Sequence, residues 1–104
     1  MPRYRVLLHG RNFRVKMEGK WQKQGFYTRR FADAPDSMLA AQVAMEEFRH
    51  TKKYQDLVEI SLNGADDPSE LCAEEIEEVH PDARFDGVLP GLALYSEEAA
   101  ENDK

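Results

Sequence analysis

The chain has 104 residues, enough for one hydrophobic core and too few for two. A hydrophobic fraction of 41%, with five Phe, four Tyr and one Trp, excludes a disordered chain, which lacks the apolar surface to offset chain entropy. The net charge of −6 conceals a division: residues 1–53 carry twelve Lys and Arg against five acids, +7, and residues 54–104 carry two against fifteen, −13.

No apolar run is long enough to suggest a membrane span. The stretch Met1-Pro2-Arg3-Tyr4-Arg5-Val6 lacks the apolar core of a secretory signal, and the single cysteine, Cys72, cannot form an internal disulfide. Both point to a cytoplasmic protein.

Residues 4–9 are expected to form a strand, with Tyr4, Val6 and Leu8 on one face. Gly10-Arg11-Asn12 supplies turn residues. Residues 13–18 alternate, with Phe13, Val15 and Met17 opposite Arg14, Lys16 and Glu18, as in a half-buried antiparallel strand. Gly19 to Gly25 reads as a hairpin loop. Residues 26–32 are β-prone with imperfect alternation, which a bulge or a sheet covered on both sides would explain.

A helix is expected next. Pro35 and Asp36 suit its first turn, and Ala41, Ala44, Met45 and Phe48 form an apolar stripe. Residues 57–62 alternate again and suggest a strand, with Val58, Ile60 and Leu62 inward. The segment 69–80 is open. Asp67, Pro68 and Glu70 match a helix start, and Cys72, Ile76 and Val79 then share a face. As a strand, its apolar face is poor. Residues 88–95 look like a bent final strand, which Pro90 places at an edge or break. The expected class is α+β: an antiparallel sheet with a three-stranded meander, a helix on one face, further strands, and on local signals a second short helix at 68–79. Residues 1–95 form the single domain, and 96–104 an acidic flexible tail.

The run Gly25-Phe26-Tyr27-Thr28, leading through Arg29-Arg30-Phe31-Ala32 into an Ala-rich helix, resembles a set of small uncharacterised bacterial proteins. In those, a late Pro-Gly step followed by an aromatic strand closes the chain, as Pro90-Gly91-Leu92-Ala93-Leu94-Tyr95 would here. The resemblance implies a strand at 69–80 and brings no activity. In element order the chain also resembles the HicB antitoxin fold, which implies a nucleic-acid-associated regulator. It lacks that family's Pro-Gly-Cys step before the helix.

No residue pattern marks a catalytic centre. There is no Gly-rich phosphate loop, H-E-x-x-H, C-x-x-C or G-x-S-x-G. Cys72 with His9, His50 or His80 could make a thiolate–imidazole pair, but no spacing joins them, and a lone Cys is most often a small buried hydrophobe. Glu74, Glu75, Glu77, Glu78, His80 and Asp82 offer metal donors, yet the plainer reading is a solvated acidic face. No metal and no cofactor is expected.

The sharper signal is the basic, aromatic first hairpin. Arg14, Lys16, Trp21, Tyr27 and Arg29 are the candidate interaction surface. Basic groups with aromatics suit nucleic acid, but the pI near 5.0 opposes a dedicated binder. Pairing with the acidic second half would account for the same cations. Trp21 either marks an interface or folds back on Tyr27 or Phe13. The expected function is a non-enzymatic interaction or assembly module, a homodimer or a binder of another protein. A nucleic-acid regulator comes second, and a small ligand-binding domain or enzyme third.

Overall fold

The computed structural model describes residues 1–17, 19–61, 63, 66–83 and 93–97. Its order is β1 (Arg3–Met17), β2 (Lys20–Asp33), α1 (Ser37–Arg49), α2 (Lys52–Ile60), β3 (Glu70–Val79) and β4 (Ala93–Ser96). Among the described residues the strands form a four-stranded open sheet in the order β3-β1-β2-β4, every pairing antiparallel. The fold is α+β.

The strands expected at 4–9 and 13–18 are one strand. Gly10-Arg11-Asn12 does not reverse the chain. It forms a bulge, where the register with β2 steps from Gly10↔Phe26 to Phe13↔Gln24. One extra residue on β1 turns odd positions onto the face that even positions held before it. Tyr4, Val6 and Leu8 therefore share a core with Phe13 and Val15. Asn12 takes the left-handed backbone at φ 62°, which Asn tolerates better than most side chains. Its amide donates to Asp67 Oδ1 at 2.7 Å, and Asn63 Nδ2 donates to its carbonyl at 2.7 Å.

The three-stranded meander is thus a long two-stranded hairpin flanked by β3 and β4. Its turn is tighter than the expected 19–25 loop. Met17 pairs with Lys20, and Gly19 supplies φ 79°. Residues 20–25 belong to β2.

Asp36 caps α1 from outside its first turn, accepting from the Leu39 backbone N–H at 2.9 Å. The buried side of α1 is Ala40, Ala41, Ala44 and Phe48, with Met45 at the margin. Small residues let the helix axis approach the strands. Phe48, 1% exposed, meets Phe26 with ring centroids 5.6 Å apart.

Residues 57–60, expected in a strand, lie in α2. Thr51 caps that helix, its hydroxyl accepting from Tyr54 N at 3.3 Å. Leu57 is buried, while Val58 and Ile60 face solvent, so their alternation carried no core. Tyr54 sets its ring edge-on to Phe13 and Phe48 and ties α2 to the core. Leu62 lies outside the described residues.

The helix suggested at 68–79 is corrected to a strand. β3 pairs with β1 from Arg11↔Glu70 to Arg3↔Val79. That register lays Glu77 on Arg5 at 2.7 Å and Glu70 on Arg11 at 3.2 Å. Long-range pairing outweighs the local capping signal, as strand context commonly does. β3 carries its own bulge: Glu75 pairs with Leu7 and Ala73 with Leu8, leaving Glu74 as the extra residue.

Of the expected final strand, residues 93–95 lie in β4, and 88–92 lie outside the described residues. So do residues 98–104 of the expected tail. Ser96 ends β4, and Glu97 Oε1 accepts from Asn12 N at 3.1 Å. No described helix is long and apolar enough to cross a membrane.

Candidate interaction face and its histidine cluster

Directly paired residues on neighbouring strands point to the same side of a sheet. The core side carries Val6, Leu8, Phe13 and Phe26, on which α1 and α2 pack. The register places Arg14 opposite Lys23, Lys16 opposite Trp21, His9 opposite Tyr27 and Leu7 opposite Arg29. By alternation these pairs lie on the other side. All five candidate residues, Arg14, Lys16, Trp21, Tyr27 and Arg29, thus share one face, away from the helices.

Their surroundings differ. Arg14 Nε lies 3.4 Å from Asp67 Oδ2. Lys16 Nζ sits 6.0 Å from the centroid of Trp21, which is 47% exposed. Trp21 therefore rests beneath a lysine rather than folding back on Tyr27 or Phe13. Arg29 lines a small groove with Arg5, Leu7, Glu75 and Glu77. Tyr27 stacks on His9, with centroids 4.3 Å apart and planes at 12°.

That stacking leads to a cluster no sequence spacing revealed. His9 is 6% exposed. Its Nδ1 lies 2.6 Å from Glu74 Oε1, and its Nε2 bonds to the Tyr95 hydroxyl. An ionised carboxylate only accepts, so Nδ1–H donates to Glu74, and Nε2 of the neutral ring accepts from Tyr95. Burial first, then the negative charge of Glu97, push the Tyr95 phenol above its ordinary value, which keeps that hydroxyl protonated. Cys72 pairs with His9 in the β-ladder, and its thiol donates to the His9 carbonyl at 3.6 Å.

The backbone explains each position. Cys72 and Glu74 sit two apart on β3, and the Glu74 bulge brings an additional carboxylate alongside His9. Bulges often re-aim side chains in this way. Tyr95 arrives from the far edge on β4, opposite Gly25. Tyr95 also borders an open groove of about 560 Å³ shared with Arg11, Asn12, Asp67, Glu70 and Glu97. The carboxylate–imidazole–phenol chain can hold a proton between fixed positions, and the thiol, imidazole and carboxylate together are metal donors. Of the acidic run singled out from sequence, only Glu74 joins His9. His80 and Asp82 contact each other beyond β3.

No protein-family model matches the chain, and neither does any curated protein or solved structure.

Proposed function

We propose that this domain is a non-enzymatic assembly module that forms a homodimer through the helix-bare face of its sheet. The observation that carries the reading is the register that gathers Arg14, Lys16, Trp21, Tyr27 and Arg29 on that face. A two-fold interface must be self-complementary, since each patch meets its own copy. This face meets that condition electrically. Lys16 and Lys23 sit on it at the hairpin end without an ion pair to another described residue, while Glu75 lies on it in β3, equally unpaired among the described residues. Rotating one copy by 180° sets each basic end against the other's acidic strand, with Trp21 as an aromatic anchor.

Pairing of two β3 edges is the weaker geometry. It would juxtapose Glu70, Glu74, Glu75, Glu77 and Glu78 from both copies, and like charges guard an edge against such pairing. Nucleic acid is the second reading. It is disfavoured because Arg5, Arg11 and Arg14 already face Glu77, Glu70 and Asp67.

Sedimentation equilibrium at micromolar concentration tests the proposal. The chain should report twice its mass, and a Lys16→Glu, Trp21→Ala variant should report a folded monomer. A clean monomer for the unaltered chain across the accessible range removes the assembly reading.

A further inference from the structure

We propose that His9, Cys72 and Glu74 form a zinc site. One His9 imidazole nitrogen, the Cys72 sulfur and a Glu74 carboxylate oxygen offer donor atoms that all lie within 4.8 Å of one another. Zinc bonds of about 2.0–2.3 Å at tetrahedral angles set donor atoms roughly 3.3–3.6 Å apart. Nδ1 and Oε1, at 2.6 Å, need only open slightly. Cys72 Sγ must leave its weak bond to the His9 carbonyl and turn toward them. That bond is a long thiol contact and costs little to break.

The chemistry of the donor set favours Zn²⁺. Thiolate, imidazole and carboxylate are its three common ligand types, and the mixture is too soft for Mg²⁺ or Ca²⁺. A thiolate and a carboxylate balance the metal's two charges, so a half-buried site holds no net charge. One proton leaves per zinc, from the Cys72 thiol. The ring changes tautomer: Nδ1 gives its lone pair to the metal, and Nε2–H donates to the Tyr95 oxygen. Metal-bound histidines are commonly held through their second nitrogen in this way. Tyr27, stacked on the ring, fixes its plane. Three protein donors leave a fourth position for water.

Two features support a prepared site over a chance meeting of side chains. His9 is almost wholly buried on the sheet face that lacks helices, pinned by Tyr27, Tyr95 and Glu74. Glu74 reaches it as the extra residue of a bulge in an otherwise regular ladder. This inference does not depend on the dimer.

The test titrates chelator-stripped protein with Co²⁺ and then Zn²⁺. One Co²⁺ per chain should bind with a thiolate-to-metal charge-transfer band, and Zn²⁺ should displace it. Cys72→Ser should abolish that band and weaken Zn²⁺ at least about tenfold. Tyr95→Phe should keep the band and weaken binding about 10–100-fold, the usual range for an outer hydrogen-bond partner. Without metal, Cys72→Ser should melt with the unaltered chain, and Zn²⁺ should raise the midpoint of the unaltered chain further than that of Cys72→Ser. Absence of the band, or equal Zn²⁺ affinity in Cys72→Ser, assigns any bound metal to surface carboxylates and overturns the site.

Discussion

Tyr95 occupies the space that a side chain at Gly25 would fill: a Cβ there would lie 2.3 Å from the phenol Cζ and from its hydroxyl oxygen, well inside van der Waals contact. Gly25 is thus the reason that β4 can lay its tyrosine flat on β2 and deliver the hydroxyl to His9. Replacing it by Ala forces the ring aside. Gly25→Ala should cost about 1–3 kcal/mol, the range for overpacking a fitted site, although Ala itself suits a strand better than Gly. Chemical denaturation measures the cost. Alkaline titration of tyrosine absorbance should also show one phenol ionising at lower pH than in the unaltered chain, because Tyr95 loses its burial. An unchanged titration curve would place Tyr95 elsewhere.

Phe48 is the largest apolar side chain that α1 brings to the core. It is flanked by Phe26 and Tyr54 at centroid distances of 5.6 and 5.4 Å, and the Arg30 guanidinium lies 5.1 Å from its centroid. Phe48→Ala should destabilise the fold by about 3–5 kcal/mol. A loss below about 1 kcal/mol in equilibrium denaturation would show that this is not the core face, since truncating a fully buried Phe leaves a cavity.

The Asp33 carboxyl is held below its ordinary value of 3.8, chiefly by a hydrogen bond from Arg3 Nε at 2.9 Å and further by the charge of Arg3. The folded-state pKa is depressed. The stabilisation is therefore present above 3.8 and is lost as pH falls through the folded value. Asp33→Asn should melt below the unaltered chain near neutrality, and the two midpoints should converge in acid. A gap that stays constant to low pH would mean that Asp33 acts by packing instead.

The parts of this fold legible in the sequence are those whose signals are local. Asp36 before an Ala-rich stripe announced α1, and the alternation from Phe13 to Val15 announced the second half of β1. Local signals also misled. Val58 and Ile60 alternate on the exposed side of a helix, whose true marker, Thr51 three residues before Tyr54, lies outside the alternating stretch. Asp67-Pro68-Ser69-Glu70 has the grammar of a helix start, but its segment is claimed by a ladder to β1, from Arg11↔Glu70 to Arg3↔Val79, far away in sequence. The histidine cluster joins residues 9, 72, 74 and 95 through two registers and a bulge, none of which has a local signature. The one available hint is Cys72 and Glu74 at strand spacing, which the helical alternative for that open segment hides.

The division of charge between the two halves of the chain finds its physical outlet along β1, against β3 and the turn that precedes it. Arg5 reaches Glu77 at 2.7 Å, Arg11 reaches Glu70 at 3.2 Å and Arg14 reaches Asp67 at 3.4 Å. These pairs are exposed, so each contributes only about 0–1 kcal/mol, and salt weakens them where the screening length is about 8 Å. Salt also relieves repulsion among the excess acids of β3, which acts in the opposite direction. A melting curve against salt alone would mix the two effects. A double-mutant cycle on Arg5→Gln and Glu77→Gln separates them, because general charge effects largely cancel in the coupling. The coupling should be favourable at low salt, about 0.2–1 kcal/mol, and should shrink toward zero at high salt. On the same samples, oligonucleotide binding at physiological salt should be absent, because arginines facing glutamates present little potential to phosphate. Zero coupling at low salt, together with tight and salt-sensitive oligonucleotide binding, would mean that the arginines are engaged by nucleic acid rather than by β3. The basic hairpin would then be a nucleic-acid surface.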